Sequence, residues 1–249
     1  MRRQARPHDR QTRWPMRLRV AALTLALAAV VGATGAGVQH LLEPTALPVR
    51  TLRLGGELTH TRSEHVRAIA RAHAAGGFLA LDVDAMRSEI NALPWVREVA
   101  VRRIWPDVVA VELREHQALA RWGDAALVSE EGHVFAPADS EWPQGLPVLA
   151  GPLDSAPGVA QRYRELHQML APLGLGVAAL RMSERRALEL RLDNGLVVLL
   201  GRDDPQVRLE RFVRVYPTAL AGRADGIAQV DLRYTNGFAV AWKKPNPTA

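Results

Sequence analysis

Two pairs of side chains have the residue types that catalysis or metal binding would require. Asp82 and Asp84 are carboxylates two residues apart, and His60 and His65 are the closest pair of imidazoles. Side chains five residues apart do not share a helix face, so we predict separate surface histidines rather than metal ligands. Asp82 precedes a periodic apolar segment, and we predict that it caps a helix with Asp84 in the first turn.

Other catalytic patterns are missing from the sequence. It has no cysteine, which excludes disulfides and thiolate ligands, and no His-Glu-x-x-His, Gly-x-Ser-x-Gly or glycine-rich phosphate loop. We therefore expect a protein that is not an enzyme and that uses no cofactor, metal or small-molecule substrate. The alternative of an anchored envelope hydrolase would need a carboxylate, serine or metal constellation.

The positive charge of the chain is concentrated at its N-terminus. The 249 residues have a formal net charge of +6, and residues 1–19 contain seven arginines against Asp9 alone. The basic tail therefore accounts for the whole net charge, and the remaining chain is neutral. A neutral body lacks the basic face that binding to phosphates requires, so we expect no nucleic acid as a partner.

An apolar segment follows the basic tail. Val20–Val38 contains no charged residue, and at 1.5 Å per residue it spans about 28 Å, close to the hydrocarbon core of a bilayer. We predict a cytoplasmic tail at 1–19, a transmembrane signal anchor at 20–42 and export of the rest, because positive flanks stay inside. A signal peptide cleaved near Ala33-Thr34-Gly35 is the alternative, although such apolar regions are usually shorter.

A β-α-α-β-β pattern over residues 48–117 follows a proline-bounded linker at 43–47. The predicted strands are Val49–Leu54, Val96–Ile104 and Val108–Glu115, where apolar and polar residues alternate. The first helix is predicted to begin with the capping box Thr61-Arg62-Ser63-Glu64, and the second to begin after Asp82. Trp105-Pro106-Asp107 is predicted to form the turn between the last two strands.

Short apolar runs separated by turn residues occupy residues 118–249, which predicts mixed strands interrupted by two helices. The predicted strands are Ala125–Ser129, Val134–Ala136, Pro147–Ala150, Val177–Met182, Ala187–Leu192, Leu196–Leu200, Ala228–Tyr234 and Phe238–Trp242. One helix is predicted around 158–173, and another begins at Pro205 with Asp204 as its N-cap. The fold class is therefore α+β, with a single N-terminal transmembrane helix.

The C-terminal hairpin gives the clearest functional signal. A two-residue turn at Asn236-Gly237 would pair Thr235 with Phe238, Arg233 with Val240 and Asp231 with Trp242. Phe238, Val240 and Trp242 would then form an apolar stripe on an edge strand. Such a strand is a candidate for addition of a partner's strand. Packing of the stripe under a helix is the alternative, and a shift of one residue in the register decides between them.

Arg185 and Arg186 precede a predicted strand. Paired arginines at such a position are either plain surface charge or anchors of an interface, and composition does not choose between these interpretations.

Several runs of residues resemble the FtsQ/DivIB family of bitopic bacterial cell-division proteins. They are Gly77–Asp82, Leu93–Arg97, Val101–Pro106, Val111–Glu115, Ala120–Trp122, Ser183–Arg186, Leu200–Arg202, Arg208–Pro217, Val230–Tyr234 and Gly237–Trp242. The resemblance extends from the membrane segment to Trp242 in the family's order and is closer to the Gram-negative branch. An export or assembly factor with POTRA domains is the alternative class, and it would need several such repeats.

The resemblance implies a POTRA domain at 48–117, a β-domain at 118–249 and a non-enzymatic scaffold of the divisome. It implies a single-pass protein of the bacterial inner membrane, with its C-terminal domains in the periplasm at the division septum. The implied partners are FtsB and FtsL, together with FtsK and components of the septal peptidoglycan synthase.

In the family, FtsB adds a strand to the last strand of the β-domain. Carried onto this sequence, the implied partner-binding residues are Arg185, Arg233, Tyr234, Thr235, Asn236, Gly237, Phe238, Val240 and Trp242.

Overall fold

The computed structural model describes residues 16–42 and 47–243. They fall into two compact units. The first contains the chain up to Gly55 together with Glu64–Ser88 and Ala100–Glu112, and the second contains Gly56–Ser63, Glu89–Val99 and the chain from Leu113 onward.

A long apolar helix opens the described chain. Helix α1 is Met16–Leu42, and its segment Leu18–Gln39 has a mean hydropathy of 1.9. At 1.5 Å per residue, these 22 residues span about 33 Å. By length and composition, α1 is the one helix among residues 16–42 and 47–243 that could cross a membrane, as the sequence predicts. Most of the predicted basic tail and of the predicted linker lies outside the described residues.

A three-stranded sheet and two helices follow α1. The elements are β1 (Thr51–Gly55), α2 (Ser63–Ala74), α3 (Val83–Asn91), β2 (Val96–Ile104) and β3 (Val108–Glu115). The strand order is β1-β3-β2, with β1 parallel to β3. The predicted β-α-α-β-β order is confirmed, and β2 and β3 have the predicted bounds.

Local patterns explain why these residues form these elements. In β3, Val109 and Val111 are buried while their neighbours are less so, which is the two-residue period of a half-buried strand. The carboxylate of Asp82 accepts hydrogen bonds from the N–H groups of Asp84 and Ala85, at 3.0 and 2.9 Å. The predicted cap of α3 is therefore confirmed.

The predicted capping box before α2 is wrong. The carboxylate of Glu115 instead accepts hydrogen bonds from the N–H groups of Thr59, His60 and Thr61, so the segment before the helix is fixed from β3. Burial opposes the ionised form of Glu115, yet these hydrogen bonds hold its pKa below the ordinary value. A capping pattern in the sequence does not reveal this carboxylate, because it lies more than fifty residues away.

His60 is partly buried rather than on the surface. Its ring stacks on Trp95 with a centroid distance of 3.7 Å, and its Nδ1 lies 3.4 Å from Glu115 Oε2. The surface prediction is therefore wrong for His60, because the indole of Trp95 offers it an aromatic plane. It is confirmed for the exposed His65.

The second unit contains a nine-stranded mixed sheet. Its strands are β4 (Ala118–Trp122), β5 (Ala126–Ser129), β6 (Val134–Phe135), β7 (Val148–Ala150), β8 (Val177–Met182), β9 (Leu188–Leu192), β10 (Val197–Gly201), β11 (Ile227–Asp231) and β12 (Ala239–Trp242). Their order is β12-β11-β10-β9-β8-β7-β4-β5-β6. Strand β4 is absent from the sequence-based prediction.

Two helices, α4 (Ala156–Leu170) and α5 (Pro205–Val215), contact each other and the middle of this sheet. Their buried side chains include Val159, Leu166, Leu170, Leu209 and Phe212, which recur at helical spacing and cover the sheet. Asp204 precedes α5 with a φ of 45° and makes no side-chain capping hydrogen bond. The predicted cap is therefore wrong, although Pro205 begins the helix as expected.

Candidate partner-binding site

Strand β12 lies at an edge of the nine-stranded sheet. It pairs antiparallel with β11, and within residues 16–42 and 47–243 no strand pairs with its other side. The edge position predicted for the last strand is therefore present. An unpaired edge exposes backbone donors and acceptors to another chain.

The register of the hairpin differs from the predicted one. Val230 pairs with Val240, Asp231 with Ala239, and Ile227 with Trp242. Strand β11 ends at Asp231 and β12 begins at Ala239, so residues 232–238 form a loop and the predicted two-residue turn is wrong.

The carboxylate of Asp231 explains where β11 ends. It accepts a hydrogen bond from the backbone N–H of Arg233 at 3.0 Å, and Arg233 Nη2 donates to it at 2.6 Å. The Arg233 guanidinium holds the pKa of Asp231 below its usual value. The N–H of Leu232 meanwhile donates to the carbonyl of Leu199 at 2.9 Å. These bonds bind residues 232 and 233 to β10 and β11 and prevent a tight turn.

Arg211 of α5 fixes the far part of the loop. Its Nη1 donates to the carbonyl oxygens of Tyr234 and Gly237, at 3.1 and 3.3 Å. Sequence reasoning assigns no role to Arg211, because more than twenty residues separate it from the loop and no local spacing signals the contact.

The large aromatic and aliphatic side chains of the site are exposed to different extents. Tyr234 is 58% exposed and Trp242 is 51% exposed, whereas Phe238 and Val240 pack in part against the core. The predicted apolar stripe is therefore divided, with Phe238 and Val240 half-buried and Trp242 at the surface.

The backbone hydrogen bonds show which groups of β12 are open. Lys243 donates its N–H to the carbonyl of Gly226 at 2.8 Å, so its backbone faces β11. Backbone groups alternate sides along a strand, and Ala239 and Ala241 therefore also face β11. Val240 and Trp242 direct their N–H and C=O groups away from the sheet.

Arg185 lies in the exposed turn between β8 and β9. Leu188 pairs with Gly201, and Leu199 pairs with Asp231, so this turn and the 232–238 loop lie at the same end of the sheet. Arg186 has a φ of 62° and forms an ion pair with Asp154 at 2.8 Å. Trp242 lies at the opposite end of β12, so the predicted residues form an extended surface rather than one cluster.

Comparison with known proteins agrees with this architecture. Residues 47–116 match the model of the POTRA domain, FtsQ-type, and residues 120–233 match that of the cell division protein FtsQ/DivIB, C-terminal. The match to the second model ends within the loop, before β12.

Full-length relatives are similar over most of the chain. Cell division protein FtsQ of Escherichia coli is 40% identical over 202 residues, which is 79% of this chain and 73% of the relative. FtsQ of Coxiella burnetii is 36% identical over 84% of this chain and 86% of its own length. FtsQ of Shewanella oneidensis is 34% identical over 97% of this chain and 92% of its own length. The chain therefore belongs to the FtsQ/DivIB family of cell division proteins.

Proposed function

We propose that this chain is a non-enzymatic scaffold of the divisome that binds FtsB by strand addition to β12, with FtsL gathered beside it. The observation that carries the proposal is the open edge of β12, where Val240 and Trp242 direct backbone groups outward. Main-chain hydrogen bonds supply affinity in such complexes, and flanking side chains supply specificity.

The side chains around the edge suit an interface. Tyr234 and Trp242 are large, exposed and amphipathic, and such residues dominate the binding energy of many interfaces. The ion pair with Asp231 fixes the side chain of Arg233, yet more than half of that side chain is exposed. Arg233 can therefore contact a partner with little further loss of side-chain conformational freedom. Arg185, and the 235–237 segment of the loop, extend the proposed surface at the same end of the sheet.

The proposed topology follows from the basic tail and α1. Arg17 and Arg19 flank the apolar segment on its N-terminal side, which favours a cytoplasmic N-terminus and periplasmic C-terminal domains in a single-pass inner-membrane protein. We assign the tail to 1–19, the anchor to 20–42, the linker to 43–47, the POTRA domain to 48–117 and the β-domain to 118–249. At the septum, the POTRA domain would meet the early protein FtsK, and the complex would recruit components of the septal synthase.

Site-specific photo-crosslinking in dividing cells tests the proposed site. Probes at positions 234 and 242 should crosslink to FtsB, whereas a probe at the exposed Arg67 of α2 should not. Crosslinks from positions 234 and 242 that form only within the chain would contradict the assignment.

Binding of purified FtsB to the full chain gives a second, quantitative test. Trp242→Glu should weaken binding by more than about tenfold, because loss of an interface hot spot costs about 2 kcal/mol or more and about 1.4 kcal/mol is tenfold. Val207→Glu is the matched control, because Val207 of α5 is an apolar residue with a similar exposure of 56%. Equal binding by both variants would refute the role of Trp242.

A further inference from the structure

Three large apolar side chains of the first unit are exposed outside α1. Trp105 is 76% exposed, Leu79 is 43% exposed and Ile104 is 42% exposed. Ile104 and Trp105 lie at the β2–β3 turn, and Leu79 lies in the loop between α2 and α3. The core residues of this unit, such as Val66 and Met86, are fully buried, so the three exposed side chains need an explanation other than incomplete packing.

Hydrogen bonds bring these residues to one end of the unit. Arg103 Nη1 lies 3.5 Å from the carbonyl oxygen of Leu79, which joins the end of β2 to the α2–α3 loop. The N–H groups of Arg50 and Thr51 donate to the carbonyl of Asp107, at 2.9 and 3.2 Å. The β2–β3 turn is therefore beside the start of β1.

The same end receives the chain from α1. The carbonyl of Leu47 accepts a hydrogen bond from the N–H of Phe78 at 2.8 Å, next to Leu79. Leu47 follows the last residue of α1, Leu42, by five positions. Five residues extend over at most about 18 Å, so this end of the unit stays within that distance of the end of α1.

Arginines accompany the apolar side chains. Arg50 and Arg103 lie at this end, and Arg50 Nε is 4.0 Å from a carboxylate oxygen of Asp107. A groove of about 450 Å³ between β1 and α2 is bordered by Arg50, Arg67 and Arg71, and none of the described residues that line it is a carboxylate. Exposed tryptophan beside arginine is the combination that suits the boundary between lipid headgroups and acyl chains.

We propose that the surface formed by Leu79, Ile104 and Trp105 docks onto the bilayer that α1 crosses. Trp105 sits at the headgroup level, and Arg50 and Arg103 face phosphates of anionic lipids. The inference rests on the proposed anchoring by α1. Docking would hold the sheet and helices of the first unit that follow α1 against the membrane.

Quenching of tryptophan fluorescence by lipid tests this docking. The full chain is reconstituted in vesicles of equal parts phosphatidylcholine and phosphatidylglycerol, with and without bromine near the top of the phosphatidylcholine acyl chains. The difference between the unmodified chain and Trp105→Phe isolates the emission of Trp105. We expect brominated lipid to remove part of this emission, and undiminished emission of Trp105 would overturn the proposal.

Two further arms test the specificity of the docking. The emission of Trp242, obtained in the same way from the variant Trp242→Phe, should not be quenched by brominated lipid. Equal quenching of Trp105 and Trp242 would overturn a contact confined to this surface. In the same mixed vesicles with brominated phosphatidylcholine, replacing both Arg50 and Arg103 by glutamine should weaken the quenching of Trp105. An unchanged signal would refute the contact between these arginines and lipid phosphates.

Binding of FtsB separates this inference from the proposed function. Trp105→Glu should remove docking and leave FtsB binding unchanged, because Trp105 belongs to another unit than β12. Absence of FtsB binding by the unmodified chain would refute the scaffold, whereas FtsB binding without quenching of Trp105 would refute membrane docking alone.

Discussion

At the scale of single residues, two side chains outside the edge strand determine its shape. Asp231 ends β11 by taking the N–H and guanidinium groups of Arg233, and Arg211 holds the carbonyls of Tyr234 and Gly237. The loop that presents Tyr234 is therefore built in advance of any partner. Such preorganisation reduces the entropy that a complex must lose.

Replacing Asp231 by asparagine should lower the free energy of unfolding by about 1 kcal/mol at neutral pH, since Arg233 remains partly solvated. Because the folded pKa of Asp231 is lowered, this stabilisation is complete above the ordinary aspartate pKa of about 3.9. It is lost as the pH falls through the lower folded pKa, where the carboxylate takes up its proton. Urea unfolding of both proteins across this pH range measures the difference.

The matched control is Asp203→Asn. Asp203 pairs with Arg202 at 3.1 Å, and both side chains are exposed, so we expect no resolved change in stability. A difference between unmodified protein and Asp231→Asn that does not depend on pH would contradict the assigned role of the carboxylate.

At the scale of elements, the two sides of β12 differ in their backbone hydrogen bonding. Ala239 and Ala241 bond to β11, and Val240 and Trp242 leave their backbone groups available. We therefore predict that loss of the outward N–H of Val240 affects partner binding, whereas loss of the N–H of Ala241, which faces β11, affects the fold.

Val240→Pro should abolish strand addition and leave the hairpin folded, because proline removes an outward N–H at an edge strand. Val240→Ala is its control, since it removes the side chain and keeps the N–H. Ala241→Pro should instead destabilise the protein by removing a ladder hydrogen bond. FtsB binding and thermal unfolding of the three variants measure these effects, and tight binding by Val240→Pro would contradict addition to this edge.

Sequence patterns predict elements well where the determining contacts are local. Strands β2 and β3 have the predicted bounds because their alternation lies within nine residues, and Asp82 caps the adjacent helix. The hairpin register and the segment before α2 depend on Arg211, Leu199 and Glu115, which are distant in sequence. The charged and aromatic side chains of the last segment favour an edge strand, whereas no local pattern predicts the loop at 232–238.

At the scale of the whole molecule, the N-terminal residues differ in charge and hydropathy from the rest of the chain. Residues 1–19 account for the net charge of +6, and the chain after them is neutral. Orientation in the membrane responds to basic residues close to the apolar segment.

Deleting residues 1–13 behind a new start codon should therefore preserve the topology, because Arg17 and Arg19 remain. Replacing these two arginines by glutamate in the truncated chain should reduce the correctly oriented fraction. Protease accessibility of the C-terminal domains in spheroplasts measures the orientation. An inverted topology of the simple truncation would show that the outer arginines are required.

The place of β12 in the chain has a consequence for the order of assembly. Its residues, Ala239–Trp242, come last among the strands that the structure describes, so in the proposed topology they cross the membrane after the other described strands. Strand β11, which pairs with β12, is itself late. In the proposed topology, a chain caught midway through export therefore lacks the complete edge proposed for FtsB, and recruitment of a partner at this edge would report that every described strand has been translocated.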